Sequence, residues 1–352
     1  MGIEPTTPCL QSRCSSQLSY SPDQRWSLAL NSESAAILCK APGMKIAIVG
    51  CGAMGSVYAG LLADGGHDVW AVDTWGEHIE AIRTGGLRVA GASGDRTVTL
   101  AGAVATPADI GQPMDLVILA TKVGQVTEAA ESLTPVLGTD TPVLSIQNGL
   151  GGPQRAAAVL GDDRVMLGVV GGFGASMTGP GHVHHNGMEL VRLGEYADGA
   201  GVTPRVDAVA DVWRTGGFNV NTYDNVHTLV WEKLICNVAF SGPCTVSELR
   251  VGELLDDPDA SLLSATCATE AFEVAMAKKI SLGFDDPVAY TRDFGSKIPG
   301  ARPSMYLDHL AKRRCEIDAI NGAIPVAAAE EGMTAPANVV VSSLIRSRER
   351  HF

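Results

Sequence analysis

The sequence predicts an α/β domain built on a parallel sheet, followed by a domain that is all helix. Three observations carry that prediction. Near-continuous apolar runs at 45–49, 115–120 and 142–146 read as strands buried on both faces of a sheet. A glycine-rich turn, GCGAMG at 50–55, joins the first of these runs to the helical pattern of Val57, Leu61 and Leu62. From about Asn225 the periodicity is helical almost to the end, with segments near 225–241, 258–281 and 304–320 and a last one after Pro336. The corresponding division is 44–222 for the sheet domain and 223–352 for the helical one.

The chain has 352 residues, 45% of them hydrophobic and 18% charged, enough to bury two cores without staples. A net charge of −13 argues against a nucleic-acid surface and against a basic membrane patch. The eight cysteines, at 9, 14, 39, 51, 236, 244, 267 and 315, lack CxxC spacing and read as buried or incidental thiols of a reducing, cytoplasmic compartment. No apolar run is long enough to span a bilayer. Residues 1–43 are rich in Ser, Pro and Cys without a sustained period. They read as a disordered or upstream extension rather than a transit peptide, in which Glu4, Asp23 and Glu33 would be unusual.

In the turn itself, Gly50-Cys51-Gly52-Ala53-Met54-Gly55 follows a strand and opens a helix, the context a dinucleotide-binding GxGxxG requires. The first glycine makes the turn, the second lets backbone approach a pyrophosphate, and the third lets helix and strand pack. The next strand, Asp68-Val69-Trp70-Ala71-Val72, ends in Asp73, where a carboxylate would take the ribose hydroxyls. A Rossmann-type domain follows from these features. Two later strands end in the polar clusters Thr121-Lys122 and Gln147-Asn148-Gly149, at the strand ends where such sheets bind ligands, although turn chemistry alone also explains Asn148-Gly149.

Further strands at 165–174 and 189–194 flank Gly181-His182-Val183-His184-His185. No metal is expected there, because no carboxylate or cysteine accompanies the histidines and a strand points His184 and His185 to opposite faces.

In the helical half, WEKLICNVAF at 231–240 carries apolar stripes on two sides. Lys233, Asn237 and Ser241 follow at i, i+4 and i+8 as a polar row between them, which needs a partner or a cleft. A lysine snorkelling to solvent beside Glu232 is the competing reading. Ser304 opens a helix whose start its hydroxyl could cap. Glu316 lies further along, before Asn321-Gly322, a helix stop.

These residues resemble the ketopantoate reductase family over nearly all of 44–352, through GCGAMG, TKVGQ (121–125), QNGL (147–150), GPGHV (179–183), WEKLICN (231–237), SMYLD (304–308) and EIDAINGAI (316–324). The resemblance implies a C-terminal domain of the 6-phosphogluconate dehydrogenase C-terminal type and an NAD(P)H-dependent 2-oxo acid reductase. It implies Lys233 as general acid, with Glu316 supporting it and touching substrate and cofactor. Asn237, Ser304 and the position of Ser241 would bind substrate, and Lys122, Gln125 and Asn148 would line the cofactor and substrate cleft. A homodimer is a candidate assembly.

Two departures stand out. The position of Ser241 is often asparagine in the family. The end of the second strand usually carries an arginine for a 2′-phosphate, but here reads Asp73-Thr74-Trp75, so physics favours NAD and family habit favours NADP. His78 and Arg83 are the nearby groups that would reverse that preference. An NAD-dependent D-2-hydroxy acid dehydrogenase acting on D-mandelate-like acids is the nearest alternative. A non-catalytic dinucleotide sensor is the alternative of another class, opposed by the presence of Lys233, Asn237, Ser304 and Glu316 together.

Overall fold

The computed structural model describes residues 43–352 other than 173, 188 and 189. The extension expected over residues 1–43 therefore lies outside the described residues, except for Gly43. Twelve strands are found among the described residues: Lys45–Val49 (β1), Asp68–Val72 (β2), Leu87–Gly91 (β3), Arg96–Val98 (β4), Gly102–Val104 (β5), Leu116–Leu119 (β6), Val143–Ser145 (β7), Val165–Gly171 (β8), Gly174–Gly179 (β9), His182–Gly187 (β10), Leu190–Glu195 (β11) and Val220–Thr222 (β12). Eight form one sheet in the order β12-β11-β8-β7-β6-β1-β2-β5. Its pairs are parallel except β11 against β8. The strand order turns back at β1, so the carboxyl ends of β1 and β6 flank the crevice in which such sheets bind ligands.

The apolar runs sit where their composition requires. β6 is buried at every position, as are Ile46 to Ile48 of β1, because helices cover both faces of the sheet. Helix α1 (Ala53–Asp64) packs against β1 and β2 and against the second sheet, β4-β3-β10-β9. In β10, His184 is exposed while His185 is fully buried, with its Nδ1 3.0 Å from Ser93 Oγ. The two histidines point to opposite faces, as strand geometry demands.

Four more helices, α2 (Gly76–Gly85), α3 (Val126–Glu131), α4 (Gly152–Leu160) and α5 (Pro204–Thr215), belong to the sheet half. The helical half comprises α6 (Val226–Ser247), α7 (Val251–Asp256), α8 (Pro258–Ala277), α9 (Pro287–Ser296), α10 (Ser304–Leu310), α11 (Ala323–Glu330) and α12 (Pro336–Glu349). Of these, α6 is the central element. It touches α7, α8, α9, α10 and α12, and also β8 and β11 of the large sheet.

Pro243 lies inside α6 and removes the N–H that Ala239 C=O would accept. The hydroxyl of Ser264 on α8 donates to that carbonyl instead, at 2.7 Å. One residue earlier, the side chain of Asn321 completes the ladder. Gly242 N–H donates to its Oδ1 at 3.2 Å, and its Nδ2 donates to Val238 C=O at 2.9 Å. Asn321 is fully buried. Its place in the fold is thus a brace within α6 rather than the helix stop its sequence suggests.

The helix expected over 304–320 is broken. α10 ends at Leu310, Lys312 takes a left-handed φ of 50°, and Arg313 N–H closes back on Asp308 C=O at 2.8 Å. A 3-10 turn, Ile317–Ala319, follows with Glu316 just before it. Ser304 is the first helical residue and Pro303 the cap, with no side-chain capping bond. No helix among the described residues is long and apolar enough to cross a membrane.

Candidate active site

The turn after β1 meets each demand of a pyrophosphate cradle. Gly50 has φ +94°, and a Cβ there would lie 2.5 Å from Thr121 N. Gly55 lies so close to the turn that a Cβ would come within 2.0 Å of Gly50 O. A Cβ on Gly52 would meet nothing within 4 Å, which leaves its backbone open to a ligand. α1 begins at this glycine without a side-chain cap and without an acidic residue in its first turn. Its free N–H groups and partial positive charge suit a phosphate. Cys51, between the glycines, is buried, and its thiol donates to Ile48 C=O at 3.5 Å. Burial pushes that thiol far up, so it is inert. Ala53 and Met54 lie in the first turn of α1, half-buried.

Lys233 finds its partner across the cleft. Its Nζ donates to Oδ1 of Asn148, beyond the carboxyl end of β7, at 2.5 Å. Desolvation lowers the ammonium from its ordinary value to about 8. Glu316 opposes that shift and Arg192 of β11 adds to it. Glu316 is itself desolvated and raised, and its Oε1 accepts Val123 N–H at 3.3 Å.

Other contacts tie the two halves together here. Lys122 Nζ donates to Arg314 C=O at 2.9 Å and lies 3.5 Å from Asp308 Oδ2, while Leu150 N–H donates to Ala319 C=O at 2.8 Å. Gly149 permits the last contact, since a Cβ on it would lie 2.1 Å from Ala319 O. Asn237 is half-buried one turn beyond Lys233, and Ser241, one turn further, is buried. Ser304 and Gln125 are exposed, on α10 and on the 3-10 turn after Lys122.

Comparisons with known proteins identify the family. The family model described as "Ketopantoate reductase PanE/ApbA" matches residues 46–198, and its C-terminal counterpart matches 225–349. The chain belongs to the ketopantoate reductase family. It is 28% identical over 307 residues to a 2-dehydropantoate 2-reductase of Streptococcus pyogenes, covering 87% of this chain and 98% of that protein. A solved PanE/ApbA family ketopantoate reductase from Ralstonia eutropha JMP134 is similar at TM-score 0.80 and 31% identity, covering 88% of this chain and 99% of that one. D-mandelate dehydrogenase in ternary complex with NADH and anilino(oxo)acetate is similar at TM-score 0.78 and 29% identity, covering 88% and 99%.

As a member of the ketopantoate reductase family the chain is an NAD(P)-dependent oxidoreductase. The structure bears directly on the cations considered for its second strand. His78 is fully buried, its Nδ1 accepts Gly181 N–H at 2.9 Å, and its Nε2 lies 3.2 Å from Ser56 Oγ. A backbone N–H donating to Nδ1 fixes the neutral tautomer with the proton on Nε2, and desolvation lowers the ring further. His78 therefore supplies no charge near Asp73. Arg83 is exposed and paired with Glu80 at 2.7 Å. One oxygen of Asp73 accepts Trp75 N–H at 2.9 Å.

Arg192 was not foreseen as a site residue. Strand alternation marks only which face of β11 it occupies. Its influence on Lys233, and on Tyr290 of α9, exists only once β11 meets α6.

Proposed function

We propose that the chain reduces a 2-oxo acid to the 2-hydroxy acid, with ketopantoate as its substrate and NADH as its preferred reductant. The observation that carries this reading is Lys233, whose ammonium is brought to about 8 and held 2.5 Å from Asn148 Oδ1 at the carboxyl end of the sheet. An ammonium of that acidity gives up a proton near neutral pH, as a general acid must. The reduced nicotinamide, when bound, supplies the hydride.

Gly50, Gly52, Gly55 and the N–H groups of Ala53 and Met54 would hold the pyrophosphate, and Asp73 the adenosine ribose. Lys233 delivers its proton to the ketone oxygen as charge develops there. Asn148 aims the ammonium and Glu316 keeps it protonated. Asn237 and Ser304 are neutral donors suited to the carboxylate and hydroxyl of the substrate, with Ser241 deeper along the same row. Lys122 and Gln125 border the cofactor side. In this reading the sheet half ends near residue 222 and the helical half starts near 223, with the reaction between them.

The preference for NADH rests on Asp73, with Glu77 following it and His78 neutral. A second reading, an NAD-dependent dehydrogenase of D-mandelate-like acids, is favoured by the same aspartate, by Ser241 where the family often has asparagine, and by the likeness to D-mandelate dehydrogenase with NADH.

Initial rates with NADH and NADPH over ketopantoate, phenylglyoxylate and branched aliphatic 2-oxo acids test both readings. Ketopantoate turned over fastest with NADH is the expected result. Faster phenylglyoxylate turnover would select the second reading, and no turnover of any 2-oxo acid would overturn both.

A further inference from the structure

Behind the connection that carries Glu316 lies a group of side chains that the reduction does not use. His309 comes from the end of α10, Cys315 from the irregular connection after it, and Glu349 from the last position of α12. One ligand atom from each lies within 4.8 Å of those of the other two. His309 is buried, Glu349 is 9% exposed and Cys315 is half-buried.

The spacings are those of long hydrogen bonds. His309 Nε2 is 3.4 Å from Glu349 Oε1 and 3.8 Å from Cys315 Sγ, at the long end for such bonds. The first matches the N···O edge of a tetrahedron around a metal ion, and the second is about 0.3 Å longer than its N···S edge. With metal–ligand lengths of about 2.0 Å to nitrogen, about 2.1 Å to oxygen and about 2.3 Å to sulfur, those edges measure roughly 3.4 Å for N···O and roughly 3.5 Å for N···S. His309 Nδ1 is buried without a partner among the described residues. An unpartnered nitrogen on a buried imidazole whose other nitrogen has only long contacts, to Glu349 and Cys315, is unusual for a structural histidine. Glu349 is already oriented, because Cys315 N–H donates to its Oε1 at 2.7 Å.

We infer that His309, Cys315 and Glu349 form a binding site for a borderline-soft divalent cation of the Zn²⁺ type, which clips the connection bearing Glu316 to the C-terminal helix. One nitrogen, one sulfur and one carboxylate leave the fourth tetrahedral position for water. Binding releases the Cys315 thiol proton to solvent, and thiolate plus carboxylate then balance the charge of the ion. The three ligands come from 309, 315 and 349, so the ion would join the α10 connection to the end of the chain without touching Lys233.

The test is Co²⁺ titration of the full chain after dialysis against a chelator. The expected result is one equivalent bound with a thiolate-to-cobalt charge-transfer band, displaced by Zn²⁺. The band should be lost in Cys315→Ser, and affinity should fall at least about tenfold in His309→Asn and in Glu349→Gln. Zn²⁺ should raise the melting midpoint of the wild type and not that of Cys315→Ser. Absence of the band in the wild type would overturn the proposal. So would a band that persists in Cys315→Ser, which would assign the ion to other cysteines. Should Cys315→Ser fail to fold, His309→Asn decides alone, since it keeps the thiol, and unchanged Co²⁺ affinity there refutes the site.

Discussion

In the proposed site, helices α1 and α6 contribute in opposite ways. α1 offers its N-terminus, made of backbone N–H groups behind a glycine turn, and needs no particular side chain there. α6 offers its flank, where Lys233 and Asn237 project from a helix buried on its other sides. A backbone site is assembled by the local chain and fails only when something fills it. A side-chain site on a buried helix depends on distant braces, here Asn148, Glu316, Ser264 and Asn321. The two halves of the site should therefore break differently.

The largest expected effect is on the flank of α6. Lys233→Ala removes the proposed general acid and should lower turnover by about 10²- to 10⁴-fold. Cofactor binding, measured by fluorescence titration, should persist. Wild-type turnover in the variant would make Lys233 a bystander. Next comes the cofactor end. A carboxylate and a 2′-phosphate about 4 Å apart at a dielectric near 20 repel by roughly 4 kcal/mol. Asp73→Ser should shift the NADPH-to-NADH ratio of kcat/KM toward NADPH by at least about tenfold. A wild-type enzyme that already prefers NADPH would show that another cation, Arg83 being nearest in sequence, sets the choice.

The glycines and the brace permit a sharper contrast. Gly55→Ala forces a methyl onto Gly50 O and should cost about 1–3 kcal/mol in urea unfolding. Gly52→Ala meets no protein atom, so its stability should be unchanged while the KM for cofactor rises. Asn321→Ala leaves Gly242 N–H and Val238 C=O without their partner. It should cost about 1–3 kcal/mol, and kcat should fall as α6 loosens. Full kcat in a destabilised Asn321→Ala would mean that the brace serves stability alone.

The same contrast explains what could be read in the sequence. β1, the turn and α1 are contiguous, so strand, glycines and helix were all legible within twenty residues. The polar row of α6 was also legible, because lysine and asparagine are conspicuous in an apolar helix. Its partner was not, since Asn148 lies 85 residues away and reads equally well as a turn. The break after α10 was missed because it rests on a left-handed lysine, Lys312, where glycine would have announced it. His78 was open as a cation only while its ring was unplaced. Its neutrality comes from Gly181, 103 residues later.

The smallest expected effect tests whether the braces of α6 tune Lys233 as well as hold it. Reduction uses the ammonium form, so its rate should fall as pH rises through the lysine's value, about 8, while oxidation of the hydroxy acid should rise through it. Glu316 holds that value up, so Glu316→Gln should move the falling limb of reduction to lower pH. Arg192 pushes it down, so Arg192→Leu should move the same limb to higher pH. Desolvation is the larger cause and survives both changes, so each displacement should stay within about one pH unit, read from kcat profiles normalised to their own maxima. Opposite displacements are expected of a group that feels both a carboxylate and a guanidinium, as Lys233 does. Two limbs moving the same way, or neither moving, would assign the titration to another group and leave Lys233 as a positioning charge.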